Sequence, residues 1–167
     1  LRFIEIGSGN YGTEYVRRYE LFKEAIHKVY PRVTVIGNVI TDIRNRVDWV
    51  DSHYYGDEMF FITNQSRFDG FLYAKRQPPM FIGEFGLVRD ESSGTLRSAL
   101  AEACFLLGLE RNPDAVKRIA YAPALANVQM NKKAKGLILF NNKLAVKTPS
   151  YHMLSMLGEN RGDAILK

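Results

Sequence analysis

The chain has 167 residues, of which 46% are apolar and 25% are charged, and its formal net charge is +5. This composition is typical of a globular domain, and no apolar run reaches the roughly 18 residues that a transmembrane helix needs. The densest basic cluster, Lys132-Lys133-Ala134-Lys135, lacks interleaved aromatic residues. We therefore interpret it as a solvated loop and expect neither a nucleic-acid nor a membrane partner.

The single cysteine excludes an internal disulfide and leaves the cellular compartment open. Cys104 lies in an apolar helical stretch, which indicates a core position rather than a nucleophile. His27, His53 and His152 are far apart and do not form the ligand spacing of a zinc site with it. The sequence therefore predicts no metal site and no cofactor.

The first part of the chain alternates short apolar strands with a helical pattern. A strand is predicted over residues 2–6, and further strands over residues 33–36 and 47–50, with Trp49 in the core. Between them a helix is predicted that ends before Pro31. Its apolar residues recur at intervals of four and three and mark one face: Tyr15, Tyr19, Phe22, Ile26 and Val29.

The second part continues the alternation. A fourth strand, residues 80–82, ends at Gly83-Glu84-Phe85-Gly86, and Thr95 is predicted to cap a helix that runs to Gly108. Two more strands are predicted at residues 119–125 and 137–140, and Thr148-Pro149 opens a last helix over residues 151–157. Strands alternating with helices imply βα units and a parallel sheet, here in one domain spanning residues 1–167.

The turn Gly7-Ser8-Gly9-Asn10-Tyr11-Gly12 follows a strand and precedes a helix. This is the context of a G-x-G-x-x-G dinucleotide fingerprint, so the turn could serve a Rossmann-like enzyme that binds a nucleotide or S-adenosylmethionine. Such a site also needs an acidic residue at the end of the next strand. That strand ends in Asn38, and the nearest acid is Asp42, so the pattern alone is weak evidence.

Seven stretches in register point to a different function, because together they resemble glycoside hydrolase family 51, the α-L-arabinofuranosidases. They cover nearly the whole chain, which makes the match more specific than one glycine pattern. The stretches are residues 4–7, 15–22, 51–55, 81–85, 96–103 and 108–112, followed by Tyr121-Ala122-Pro123 with Asn127.

This resemblance implies an α/β fold of the (β/α)₈ TIM-barrel type, with the acid/base Glu after the fourth strand and the nucleophile Glu after the seventh. Only strands 4 to 8 with their helices are then expected here, without the first three βα units and without the family's β-sandwich. A complete barrel typically has roughly 250 residues. Two unpaired strand edges would favour association with a missing N-terminal half-barrel or with another copy.

The resemblance also implies the site residues. Glu84 takes the place of the nucleophile. The family's acid/base motif, Glu-Ile-Gly-Asn-Glu, reads Glu5-Ile6-Gly7-Ser8-Gly9 in this chain, so Ser8 replaces a substrate-binding Asn and Gly9 replaces the acid/base. Loss of general acid-base catalysis typically costs about 10²–10⁴ in rate. Glu5 lies deeper in the strand, and Glu14 is a weak replacement.

Further positions match sugar-binding segments of the family. His53 and Tyr55 match a His-x-Tyr segment whose tyrosine hydrogen-bonds near the nucleophile, although an aromatic packing pair would fit the same residues. Asn127 falls near a sugar-contacting segment. Four residues match the family but lie on a helix, so we expect them to form salt bridges in the outer layer: Arg97, Glu102, Glu110 and Arg111.

Three functional hypotheses follow. The first is a retaining arabinofuranosidase that releases terminal arabinofuranosyl residues from arabinose-containing oligosaccharides or polysaccharides, impaired by Gly9. The second is a non-catalytic partial barrel that binds carbohydrate or assembles with a partner. The third is the nucleotide- or S-adenosylmethionine-binding enzyme.

Overall fold

The computed structural model describes residues 1–38, 47–70, 78–87, 91–131 and 134–162. Asp42 and two lysines of the basic cluster, Lys132 and Lys133, lie outside the described residues. Among the described helices, none is both long enough and apolar enough to cross a lipid bilayer.

The main sheet has five strands, which lie side by side in the order in which they occur in the chain. β1 pairs with β2 and β2 with β3 in parallel. This agrees with the predicted α/β class and with the five expected strands. The strands are β1 (Phe3–Ile6), β2 (Thr34–Asn38), β3 (Trp49–Tyr55), β4 (Met80–Gly86) and β5 (Val116–Tyr121).

The first helix, α1 (Thr13–Val29), connects β1 to β2 and ends just before Pro31, as predicted. The prediction of one buried apolar face is only partly correct. Tyr15 and Tyr19 are buried, whereas Phe22 is 58% exposed and Val29 is 66% exposed. On a helix these last two residues lie at one edge of the apolar stripe, so the buried side centres on the two tyrosines.

Two of the remaining helices begin at side-chain caps. The short helix α2 (Glu58–Thr63), which the sequence analysis did not predict, begins where the Asp57 carboxylate accepts from the backbone N of Phe60 at 2.7 Å. Helix α3 (Leu96–Glu110) begins at a capping box in which Thr95 and Ser98 bond each other's backbone N. The predicted cap at Thr95 is confirmed.

The last part of the chain forms a second, three-stranded sheet. The strand predicted at residues 137–140 is confirmed, whereas the strand predicted at residues 119–125 is not continuous. The predicted strand 119–125 is divided, because β5 ends at Tyr121 and Leu125 begins a strand of the other sheet. In this sheet β6 (Leu125–Asn127) and β7 (Ile138–Phe140) are parallel, and β8 (Ala145–Lys147) is antiparallel to β7. Helix α4 (Pro149–Glu159) follows. The Thr148 side chain does not cap it, because its hydroxyl bonds backbone carbonyls of residues 136 and 137.

The described residues group into two compact units, each built from separate stretches of chain. The first unit comprises Leu1–His53, Gly70–Gly83 and Asp114–Ile119, and the second comprises Tyr54–Asp69, Glu84–Pro113 and Ala120–Lys167. The first unit contains a core cluster of Tyr15, Tyr19, Val33, Val35, Val47 and Val50. The second contains an aromatic cluster of Tyr54, Phe61, Phe68, Phe85 and Phe105. The single-domain prediction stays a prediction.

Candidate active site

Glu84 lies within β4, two residues before the strand ends, and its side chain is half-buried. The hydroxyl of Tyr55, the last residue of β3, donates to Oε2 of Glu84 at 2.5 Å. A phenol bonded to a carboxylate holds one of its oxygens in a fixed direction. The resemblance implied that this tyrosine hydrogen-bonds near the nucleophile, and Tyr55 and Glu84 form one polar pair in the second unit.

In the first unit, Asp51 is the centre of a buried polar network. Its Oδ2 lies 2.6 Å from Nε2 of His53, and its Oδ1 accepts from the backbone N of Gly83 at 2.8 Å. The Asn38 amide donates to the same carboxylate at 3.5 Å. His53 therefore has a carboxylate partner that orients its ring, and its role in sugar binding stays a prediction.

Glu5 extends this network to the first strand. The Asn38 side chain donates to Oε1 of Glu5 at 3.0 Å. Glu5 itself is partly exposed at the strand, but the partial loss of hydration of its carboxyl group and the neighbouring charge of Asp51 raise its pKa to about 7, while Asn38 and His53 act in the opposite direction. Two carboxylates in contact avoid ionising together, so Glu5 retains its proton to a much higher pH than an isolated glutamate.

The glycine turn has a conformational explanation that needs no nucleotide. Gly7, Gly9 and Gly12 all have positive φ, of 83°, 65° and 90°. L-residues with side chains rarely adopt these angles. The Asn10 side chain accepts from the backbone N of Ser8, and the backbone N of Asn10 donates to Asn38. Ser8 and Gly9 are exposed, and a Cβ built on Gly9 meets nothing within 4 Å.

Glu14 is poorly suited to replace an acid/base. It lies in the first turn of α1, and Arg17 and Arg18 donate to its carboxylate at 2.9–3.1 Å. These hydrogen bonds lower the pKa of Glu14 to about 2. The side chain is therefore a paired anion at neutral pH and has no proton to donate.

Asn127 ends β6 in the second sheet. Its side-chain oxygen accepts from the backbone N of Gln129 at 2.9 Å, which closes a local turn. This contact fixes the side chain within its own loop, and a sugar-binding role for Asn127 stays a prediction.

The expected outer-layer salt bridges form at two of the four positions. Arg97 pairs with Glu58, and Arg111 pairs with Asp69. Glu110 is exposed at the end of α3. The prediction is wrong for Glu102, which is fully buried and is held by three neutral donors. An apolar helix face turned inward explains the difference, because on the helix surface Glu102 lies between the buried Phe105 and Leu106.

Sequence reasoning did not single out Asn38 and Asp51 as parts of a site. A signal for Asp51 was present, because Asp51 and His53 are alternate residues of one strand and project from the same face. Asn38 lies in β2 and contacts Glu5 of β1 and Asp51 of β3, so no pattern among its neighbours in the chain indicates these contacts. No group of three or more His, Cys, Asp and Glu side chains in the described parts of the chain could hold a metal ion.

Comparison with known proteins identifies the family. Residues 77–167 match the family model of the α-L-arabinofuranosidase C-terminal domain, and residues 1–72 match that of the α-L-arabinofuranosidase 1 domain. The chain therefore belongs to the α-L-arabinofuranosidases of glycoside hydrolase family 51, and its α/β fold is a partial TIM-type barrel.

Individual relatives agree with this assignment. A probable α-L-arabinofuranosidase A of Aspergillus oryzae is 35% identical over 99% of this chain, and an extracellular exo-α-L-arabinofuranosidase of Streptomyces chartreusis is 32% identical over 99%. The arabinose-bound MgGH51 α-L-arabinofuranosidase superposes on 98% of this chain with a TM-score of 0.82 and 26% identity. The chain spans 28%, 21% and 28% of these proteins, respectively.

Proposed function

We propose that the protein is part of the catalytic barrel of a retaining α-L-arabinofuranosidase, with Glu84 as the nucleophile and with Gly9 at the position of the missing acid/base. The observation that carries the proposal is the hydrogen bond from Tyr55 to Glu84 near the C-terminal end of β4. Barrel active sites are built at these strand ends. Ser8, His53 and Asn127 are proposed to contact the sugar.

The first chemical step needs a nucleophile that Glu84 can supply. An oxygen of Glu84 attacks the anomeric carbon and forms an ester, while the bond to the leaving oxygen breaks and its electron pair departs with that oxygen. Tyr55 bonds Oε2, which orients the carboxylate for attack. In a complete pair of carboxylates the second one protonates the leaving oxygen. Gly9 has no side chain to do so, and the leaving group must depart as an anion.

The second step is also affected. Water that attacks the anomeric carbon must lose a proton to a base as the ester bond breaks and its electron pair returns to Glu84. Without a base at position 9 this step is slow. An anionic nucleophile such as azide needs no base, because it attacks with its own electron pair and releases an arabinosyl azide.

Two substrates with different leaving groups test the proposal. We expect the protein to release dinitrophenolate from an activated aryl arabinofuranoside but to release little arabinose from arabino-oligosaccharides, and azide should accelerate turnover of the activated substrate. Glu84→Gln is the control and should abolish both reactions. Equal activity of the wild type and Glu84→Gln on the aryl substrate would overturn the proposal.

A second candidate function is favoured by Gly9 itself. A barrel that lacks its acid/base can still bind arabinose-containing saccharides or assemble with an N-terminal half-barrel. Calorimetry with arabino-oligosaccharides, together with the mass in solution, tests this function. Saccharide binding without any reaction of the aryl substrate would favour the binding module over the enzyme.

The nucleotide hypothesis has less support. The described sheet keeps chain order, whereas dinucleotides bind where the strand order reverses. The positive φ angles account for the three glycines of the turn. A thermal-shift measurement with NAD, NADP and S-adenosylmethionine tests it, and we expect no change in Tm.

A further inference from the structure

Glu102 is a fully buried carboxylate that takes no part in the proposed chemistry. In the second unit its Oε1 accepts from the backbone N of Leu87 at 2.7 Å and from the Tyr121 hydroxyl at 2.8 Å. Its Oε2 accepts from the Ser150 hydroxyl at 2.6 Å. A buried carboxylate is costly unless it is well hydrogen-bonded, so a position that only filled space would favour an apolar residue.

The three donors come from three different elements. Leu87 directly follows β4, Tyr121 ends β5, and Ser150 lies in the first turn of α4. The hydrogen bonds of Glu102 therefore connect α3 to the ends of β4 and β5 and to the start of α4. One carboxylate fixes these elements through both of its oxygens.

One of these two strands, β4, contains Glu84. Leu87 lies three residues after Glu84. The Tyr121 ring packs edge-on against Phe85 with 5.2 Å between ring centroids, and the backbone N of Ala122 donates to the Phe85 carbonyl at 3.0 Å. Burial and Glu102 raise the pKa of Tyr121, so its hydroxyl keeps the proton that it donates to Glu102.

We infer that Glu102 is a positioning residue for Glu84, because its bonds to Leu87 and Tyr121 fix the end of the strand that holds the nucleophile. This inference rests on the proposed function, since it takes Glu84 as the nucleophile. A misplacement of about 1 Å at a reacting group can lower a rate by roughly a hundredfold. We expect the effect on the reaction rate rather than on saccharide affinity, because Glu102 is fully buried and has no exposed surface with which to contact a saccharide.

Two substitutions separate positioning from simple stability. Glu102→Gln keeps an oxygen for Leu87 and Tyr121, and its amide can donate to the Ser150 hydroxyl, which can also accept. Glu102→Leu removes every acceptor. With an activated aryl arabinofuranoside, Glu102→Leu should form the Glu84 ester about tenfold to a hundredfold more slowly per folded molecule. The half-saturating substrate concentration should change by no more than about twofold, and Glu102→Gln should recover most of the rate.

Asn112→Ala is the matched control. Asn112 is buried beyond the other end of α3 and bonds Asp69 and the Gly108 carbonyl, so its loss should lower stability without slowing ester formation by folded molecules. If Glu102→Leu does not fold, Tyr121→Phe replaces it in the same experiment, and we expect this variant to form the Glu84 ester several-fold more slowly than the wild type.

The outcomes are distinct. A folded Glu102→Leu or Tyr121→Phe protein that forms the ester at the wild-type rate would overturn the positioning role of Glu102 but not the proposed function. The same conclusion would follow if Glu102→Gln formed the ester as slowly as Glu102→Leu. Absence of ester in the wild type as well would overturn the proposed function and this inference with it.

Discussion

At the scale of single residues, the proposed role of Glu84 as the nucleophile depends on its hydrogen bond with Tyr55. A hydrogen bond to a charged group contributes about 1.5–3 kcal/mol, and each 1.36 kcal/mol corresponds to about tenfold in rate. The sequence could predict both residues from the family motifs, because each stands at a strand end within a recognisable segment. The resemblance also implied a hydrogen bond of this tyrosine near the nucleophile, whereas the 2.5 Å contact with Oε2 itself depends on the register between two strands.

Substitution of this phenol is the first prediction. Tyr55→Phe should slow formation of the Glu84 ester by about tenfold or more, because the carboxylate loses the donor that orients it. Pre-steady-state release of dinitrophenolate measures the rate. Tyr30→Phe removes an exposed hydroxyl at the end of α1 and is the control, which should react at the wild-type rate. An unchanged rate in Tyr55→Phe would show that the bond does not assist the reaction.

The raised pKa of Glu5, about 7, gives a second prediction. In the unfolded chain this carboxyl ionises near its ordinary pKa of about 4.3. Between these values the folded protein binds more protons than the unfolded chain, so the contribution of Glu5 to folding stability falls as pH rises from about 4.3 to 7. Below this range the contribution is fully present.

Thermal unfolding of the wild type and Glu5→Gln at several pH values measures the effect. The amide keeps an acceptor for Asn38 but does not titrate. We expect Tm of the wild type to fall relative to that of Glu5→Gln between pH 5 and pH 7, and the difference to stay level above pH 8. A difference in Tm that does not vary with pH would contradict the role of Asp51 and burial in holding this proton.

At the scale of helices and strands, the sequence predicted correctly those features that interactions between neighbouring residues determine. The cap at Thr95 and the end of α1 before Pro31 follow from neighbouring residues and were correct. The division of the predicted strand 119–125 between two sheets depends on pairing with distant residues, and α2 is too short to show a helical period. The burial of Glu102 was missed for the same reason, because its donors lie 15, 19 and 48 residues away in the chain.

The capping box gives a prediction at this scale. Thr95→Ala should lower the free energy of unfolding by about 1 kcal/mol, because the backbone N of Ser98 loses its acceptor. Thr95→Ser keeps the hydroxyl and should be close to the wild type. Urea unfolding monitored by circular dichroism measures both variants. Equal losses in the two variants would attribute the effect to packing of the threonine methyl group instead.

At the scale of the whole molecule, β1 and β5 are the edge strands of the described sheet. Edge strands present unpaired backbone groups that can pair with another chain. We therefore predict self-association that increases with concentration, measured by size-exclusion chromatography with light scattering. A mass that stays at the 19.1 kDa of one chain at every concentration would contradict it.

Identification of the residue to which the sugar becomes attached tests directly whether Glu84 is the nucleophile. The protein is mixed with an activated aryl arabinofuranoside, quenched in acid, digested and analysed by tandem mass spectrometry. We expect a pentosyl ester on Glu84 that is absent in Glu84→Gln and is lost after addition of azide. A pentosyl ester on a different residue, or a wild-type protein that stays unmodified while it releases dinitrophenolate, would contradict the assignment of Glu84 as the nucleophile.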